Sequence, residues 1–161
     1  MESFNGILVA STVLAALGCG LVAGVFFAFS SFVMKALSQV PSQVGIRVMQ
    51  TINVTVLTPW FMGVFFGTGI VCAGMLVDSL ADWEQAGSAL RLAGSALYLV
   101  GSIGVTIVFN VPRNKRLAVM SSEDPKSVAG WVSYLSSWTA WNHVRTAASF
   151  VAAGLFCLAV I

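Results

Sequence analysis

The 161-residue chain is 58% hydrophobic and only 9% charged, with 8 Lys and Arg against 6 Asp and Glu, a net charge of +2 and a mean hydropathy of +0.91. Soluble domains carry about 25% charged residues, so this composition excludes a water-facing coat, and the length fits one domain. So small a net charge gives no electrostatic footprint for nucleic acid.

Residues 6–34 form the first apolar stretch, longer than the ~20 residues that a spanning helix needs. The lead Met1, Glu2, Ser3, Phe4, Asn5 carries no basic segment, and the run exceeds a signal-peptide core, so the sequence predicts a permanent helix. Gly20, Gly24 and Ala28 recur at four-residue spacing, a ridge of small side chains that admits a close neighbour. Residues 42–58 are amphipathic, with Ile46, Met49, Ile52 and Val56 on one side and Arg47, Gln50 and Asn53 on another. Pro41 and Ser42 suit a helix start, and Pro59 should kink or break the helix at that point. This stretch therefore reads as the interfacial beginning of a second span over 57–77, which repeats the small-residue device at Gly63, Gly67 and Gly74.

An acidic loop, 78–87, leads to a third span over 88–111 carrying Gly94 and Gly101. Ser121 to Pro125 is a surface turn, and the fourth span covers 138–161, preceded by a Trp-rich stretch from Trp131. Residues 1–161 thus read as a single all-α domain, an integral membrane four-helix bundle in the cell membrane. Basic residues are retained on the cytoplasmic side. Lys35 and Arg47 come after the first span, and Arg113, Lys115, Arg116, Lys126 and Arg145 outnumber Glu123 and Asp124 after the third. Asp78, Asp82 and Glu84 face only Arg91 in the loop between spans two and three. Both termini are therefore expected on the non-cytoplasmic side. The glycine ridges serve packing inside the chain or a homo-oligomer.

Cys19, Cys72 and Cys157 lie in three different apolar stretches without ligand spacing and read as small buried hydrophobes. His143 is the single histidine, so no zinc or di-iron set can be assembled, and no metal site is expected. No phosphate loop or nucleophile elbow is present.

The polar residues gather. Thr106, Asn110, Arg113 and Asn114 share one face of the third span, and Trp138, Trp141, Asn142, Arg145 and Ser149 one face of the fourth, with Thr139, His143 and Thr146 on an adjoining stripe. Gln50 and Asn53 join them from the amphipathic segment. Polar groups at membrane depth are costly unless paired, so one shared pocket on the cytoplasmic side is the simplest arrangement. Aromatic belts, snorkelling arginines and interhelical amide bonds would place the same residue types there without a ligand.

Several runs carry a family resemblance: Gly20 to Phe29, Met49 to Asn53, Asn110-Val-Pro-Arg113-Asn114, and Trp138-Thr-Ala-Trp141-Asn142-His143-Val-Arg145-Thr146. In order and spacing they resemble the anthrone oxygenase-like family of small four-span membrane proteins. That resemblance implies oxidation of an anthrone to an anthraquinone with O2, with no cofactor. The implied substrate pocket, lined also by Gln50 and Asn53, stacks a planar phenolic ketone on Trp138 or Trp141 and holds its oxygens with Asn110, Asn114 and Asn142. His143 would remove the ring-methylene proton, and Arg113 and Arg145 would stabilise the enolate. A non-enzymatic protein that binds or moves a small aromatic or amphipathic ligand, and an accessory subunit of a membrane complex, stay open as alternatives.

Overall fold

In a lipid environment a backbone must satisfy its own hydrogen bonds, and long apolar runs do so as helices. The computed structural model describes residues 2–161, with side chains from Gly6 onward, so the lead at residues 1–5 lies outside the described side chains. No strand occurs among the described residues. The helices are α1 (Gly6–Ser38), α2 (Ser42–Thr55), α3 (Pro59–Ala81), α4 (Ser88–Ala118) and α5 (Ser127–Leu158). Among the described residues three of them, α1, α3 and α4, are long and apolar enough to cross a membrane. The chain is a membrane protein of the all-α class.

Helix α5 is 32 residues long, roughly 48 Å at 1.5 Å per residue. It falls outside that apolar group because Asn142, His143 and Arg145 interrupt its middle. It packs against α1 and α4, while α3 packs against α1 and α4.

Pro59 acts as the sequence suggests. Val56, Leu57 and Thr58 are not helical, so α2 is a separate helix rather than the bent start of α3. Thr58 caps α3, its Oγ1 accepting the Phe61 N–H at 3.3 Å, with Pro59 in the first turn, where its missing donor costs nothing. Three segments open into wider π-helical turns: Phe29–Val33 in α1, and Leu97–Gly104 and Thr106–Asn110 in α4.

Two apolar clusters result. One, away from α2, joins Cys19, Val22, Phe26, Phe65, Cys72, Tyr98 and Phe156. The other lies against α2 and joins Met34, Ile46, Met49, Leu117, Trp131, Tyr134 and Trp138. Cys19 and Cys72 are buried as expected, but Cys157 is exposed.

The glycines divide in the same manner. A Cβ on Gly101 would sit 2.5 Å from the Ala148 Cβ, and one on Gly94 would press on the Phe156 ring at 3.0 Å, so these two allow α4 and α5 to approach. Gly20, Gly24, Gly63, Gly67 and Gly74 meet nothing within 4 Å, so packing within the chain does not explain those ridges.

Candidate functional site

A cavity of about 200 Å³ lies at the seam of the two clusters. Its walls are aromatic and aliphatic: Phe26 and Phe29 from α1, Met49 and Ile52 from α2, Phe61 and Phe65 from α3, Trp138 from α5. Polar groups enter it from Asn53, Thr106, Asn114 and Arg145.

Arg145 dominates the electrostatics. It is only 5% exposed, yet it has no carboxylate partner, since the one ion pair among the described residues joins Arg47 to Glu123 at the surface. Its guanidinium donates from Nη2 to Asn142 Oδ1 at 2.6 Å and from Nη1 to Thr106 Oγ1 at 3.2 Å. Its Nε is buried and has no acceptor. The Phe26 ring lies 4.1 Å and the Trp138 ring 5.1 Å from Cζ. Such cation–π contacts contribute up to ~2 kcal/mol each when desolvated. Burying an ion costs several kcal/mol, so these contacts leave room for an anion to improve the balance.

Asn142 fixes that guanidinium. Its Nδ2 donates to Phe26 O and Ser30 Oγ, both at 2.7 Å, which orients Oδ1 toward Arg145. Ser30 also pairs with Thr146 Oγ1 at 3.1 Å, and Thr146 in turn donates to Asn142 O at 2.9 Å. Ser30 and Thr106 both sit in π-helical turns, which shift side chains out of the α-helical register and commonly occur at functional sites.

A second network holds the other side of Trp138. Asn114 Oδ1 accepts from Trp138 Nε1 at 2.8 Å and from Tyr134 Oη at 3.0 Å. Two donors on the oxygen define the amide orientation, which leaves the Asn114 Nδ2 as a donor without a protein acceptor on the cavity lining. Asn53 Nδ2 donates to the same Tyr134 oxygen at 3.5 Å.

Of the polar and aromatic residues singled out in the sequence, Asn53, Thr106, Asn114, Trp138 and Arg145 therefore meet at one cavity, and Asn142 supports it from behind. Asn110 is buried beside it, donating to Trp138 O at 3.3 Å with its own Oδ1 unpartnered. The others are elsewhere. His143 is exposed and lines a separate groove with Lys35, Ser31, Ser136 and Thr139. One residue past Asn142 is a turn of roughly 100° round the helix axis, which carries the imidazole off the cavity face. Trp141 stacks on Phe109 with centroids 3.5 Å apart, Gln50 donates to Leu117 O and Met120 O, and Arg113 donates to Phe109 O and Ser137 Oγ. The single pocket read from the sequence is thus smaller than expected, and its imidazole and second guanidinium lie outside it. Phe26 on its wall, and Ser30 and Tyr134 as hydrogen-bond partners of Asn142 and Asn114, were not foreseen. Tyr134 was detectable, being one turn before Trp138 on the same face.

The family model for anthrone oxygenase matches residues 60–155. The chain belongs to the anthrone oxygenase family. The matched stretch supplies Thr106, Asn114, Trp138, Asn142 and Arg145, whereas Phe26, Ser30 and Asn53 come from the part before it. No curated protein and no solved structure matches the chain.

Proposed function

We propose that the protein is a four-span oxygenase of the cell membrane, with both termini on the non-cytoplasmic side, that oxidises a planar phenolic ketone of the anthrone type with O2. The observation that carries this reading is the buried Arg145 guanidinium, which has no counter-ion and opens on an aromatic-walled cavity. An anthrone that loses a ring-methylene proton becomes an enolate, and its negative oxygen supplies the missing counter-charge. Donors aimed at an oxyanion in a site with little water stabilise it far more than water would.

In the balanced reaction the methylene C–H gives its proton to solvent and the enolate carbon supplies electrons to O2. A C–O bond forms at that carbon, the resulting peroxide takes a proton back from solvent, and cleavage of its O–O bond with loss of the second methylene hydrogen releases water and leaves the quinone, so one anthrone and one O2 give one quinone and one water. Neither a carboxylate nor the imidazole lines the cavity. The site therefore acts by selecting the enolate, not by removing the proton with His143. Trp138 and Phe26 hold the ring system flat, while Arg145 and the Asn114 amide hold oxygens on its edge.

The test is anthrone-dependent O2 uptake by purified protein in lipid nanodiscs, with quinone followed by its absorbance. Uptake no faster than in empty nanodiscs overturns the oxygenase reading. A non-enzymatic binder would use the same contacts and show saturable binding without O2 uptake.

A further inference from the structure

The cavity is partly open. Among the residues that line it, Phe26, Met49, Phe65, Trp138 and Arg145 are buried and most of the rest are half-buried. Three are exposed: Leu57 at 64%, Phe66 at 49% and Ile107 at 57%. All three are apolar, and they come from the non-helical link before α3, from α3 itself and from α4. On the α2 side the lining residues Met49, Ile52, Asn53 and Val56 are buried or half-buried.

The cause lies in the backbone. Helix α3 packs on α4 along Ser88–Gly104, where Gly69 receives the Ile103 side chain and Tyr98 Oη donates to Phe65 O at 2.9 Å. Beyond that stretch α4 turns through its π segment Thr106–Asn110, and α3 gives way to the link at Val56, Leu57 and Thr58. The opening is the gap left between them. Val54, Trp60 and Val108, each next in sequence to a lining residue, are 73%, 87% and 59% exposed, so the surface beside the lining is apolar and aromatic, as suits contact with acyl chains and the membrane boundary.

We propose that this gap, bordered by Leu57, Phe66 and Ile107, is a lateral portal through which the cavity takes its ligand directly from the bilayer. The ligand is then a membrane-dissolved lipophile that enters with its ring system along the apolar rim and ends with its anionic oxygen at Arg145. This assignment rests on the proposed anion-binding role of the cavity and adds the route. An engineered apolar cavity of about 150 Å³ holds a single benzene ring. A cavity of about 200 Å³ that is partly open therefore suits a larger flat ring system lying partly in the portal.

The experiment uses the full chain in phosphatidylcholine nanodiscs and 2-hydroxyanthraquinone as the probe, followed without O2 chemistry through the visible absorbance shift that accompanies ionisation of its hydroxyl. Leu57→Trp and Ile107→Trp place bulk at exposed positions where folding does not depend on the side chain. They are expected to slow both association and dissociation severalfold, with no requirement that the equilibrium shift stay at its wild-type value, since the bound probe lies partly in the portal. Val100→Trp, a control at a 71% exposed site on α4 outside the lining, is expected to leave both rates unchanged. Wild-type rates in both portal variants overturn the route while leaving the cavity reading intact. A wild-type protein that gives no absorbance shift overturns the cavity reading and the portal with it.

Discussion

Replacing Arg145 with Met keeps the length of the side chain and removes the charge. In the native structure the guanidinium makes two hydrogen bonds, to Asn142 and Thr106, and lies over two aromatic rings. Charged hydrogen bonds contribute about 1.5–3 kcal/mol each. Against them stands the cost of a buried ion, several kcal/mol after relaxation. The two sides nearly cancel, so Arg145→Met should lose mainly what it leaves behind, an unpartnered Asn142 Oδ1, which costs about 1–3 kcal/mol. The expected result is an unfolding midpoint in matched detergent only a few degrees below wild type. Turnover should fall much further, by about 10² to 10³-fold, the usual effect of deleting one oxyanion donor. Arg145→Lys keeps the charge without the planar fork and should fall between. The assay is anthrone-dependent O2 uptake beside a melting curve on the same preparation. Turnover within threefold of wild type would refute the assignment of Arg145 to the oxyanion. Collapse of the fold would show instead that the guanidinium serves to tie α5 to α4.

His143→Ala should leave O2 uptake within twofold of wild type, because the imidazole faces another groove; a tenfold loss would return it to the role of base. Asn114→Asp keeps an oxygen for Tyr134 and Trp138 but exchanges the amide donor for negative charge on the cavity lining. Binding of the ionised probe should weaken more than tenfold in the absorbance titration while the melting curve moves little. Gly101→Ala forces α4 away from Ala148 and should cost about 1–3 kcal/mol in a denaturation series. Gly24→Ala, where the new methyl meets nothing, should be neutral or stabilising by about 0.5–1 kcal/mol.

The helices were legible because apolar length and Gly or Pro punctuation are properties of local sequence. Pro59 marked the break, and Ile46 and Met49 marked the buried side of α2. The inward face of α5 was harder to read. In lipid an outward Val or Phe is as well placed as an inward one, so hydrophobicity alone does not tell inside from outside. The true inward stripe is Trp138, Asn142, Arg145, Ser149, Ala152 and Phe156, all buried at alternating steps of four and three. Trp141 and His143 lie within one residue of it, so spacing set Trp141 on it and His143 on the stripe beside it. The partner rings were not legible either, since Phe26 and Phe65 are ordinary apolar residues until the fold sets Phe26 against Arg145 and both on the cavity wall.

Two of the three π-helical segments border the cavity, one through Phe29 and one through Thr106 and Ile107. Wide π turns are rare and occur mostly as single bulges, yet α4 carries them from Leu97 to Gly104 and again from Thr106 to Asn110. In a regular α-helix, positions four apart drift steadily round the axis; widening the turn slows that drift. Thr106, Asn110 and Asn114 can then all face α5, where they meet Arg145, the Trp138 carbonyl and the Trp138 indole. The same widening, with the non-helical link before α3, opens the side of the bundle at Ile107 and Leu57. A chain selected only for stability in lipid would keep α4 regular and place an apolar residue at 145. Instead one stretch of irregular helix both brings Thr106 to Arg145 and Asn114 to the Trp138 indole and makes the gap by which a flat lipophile reaches them. Restoring regular helix there by deleting one residue between Gly104 and Asn110 should therefore abolish probe binding, even if the remaining helices still assemble.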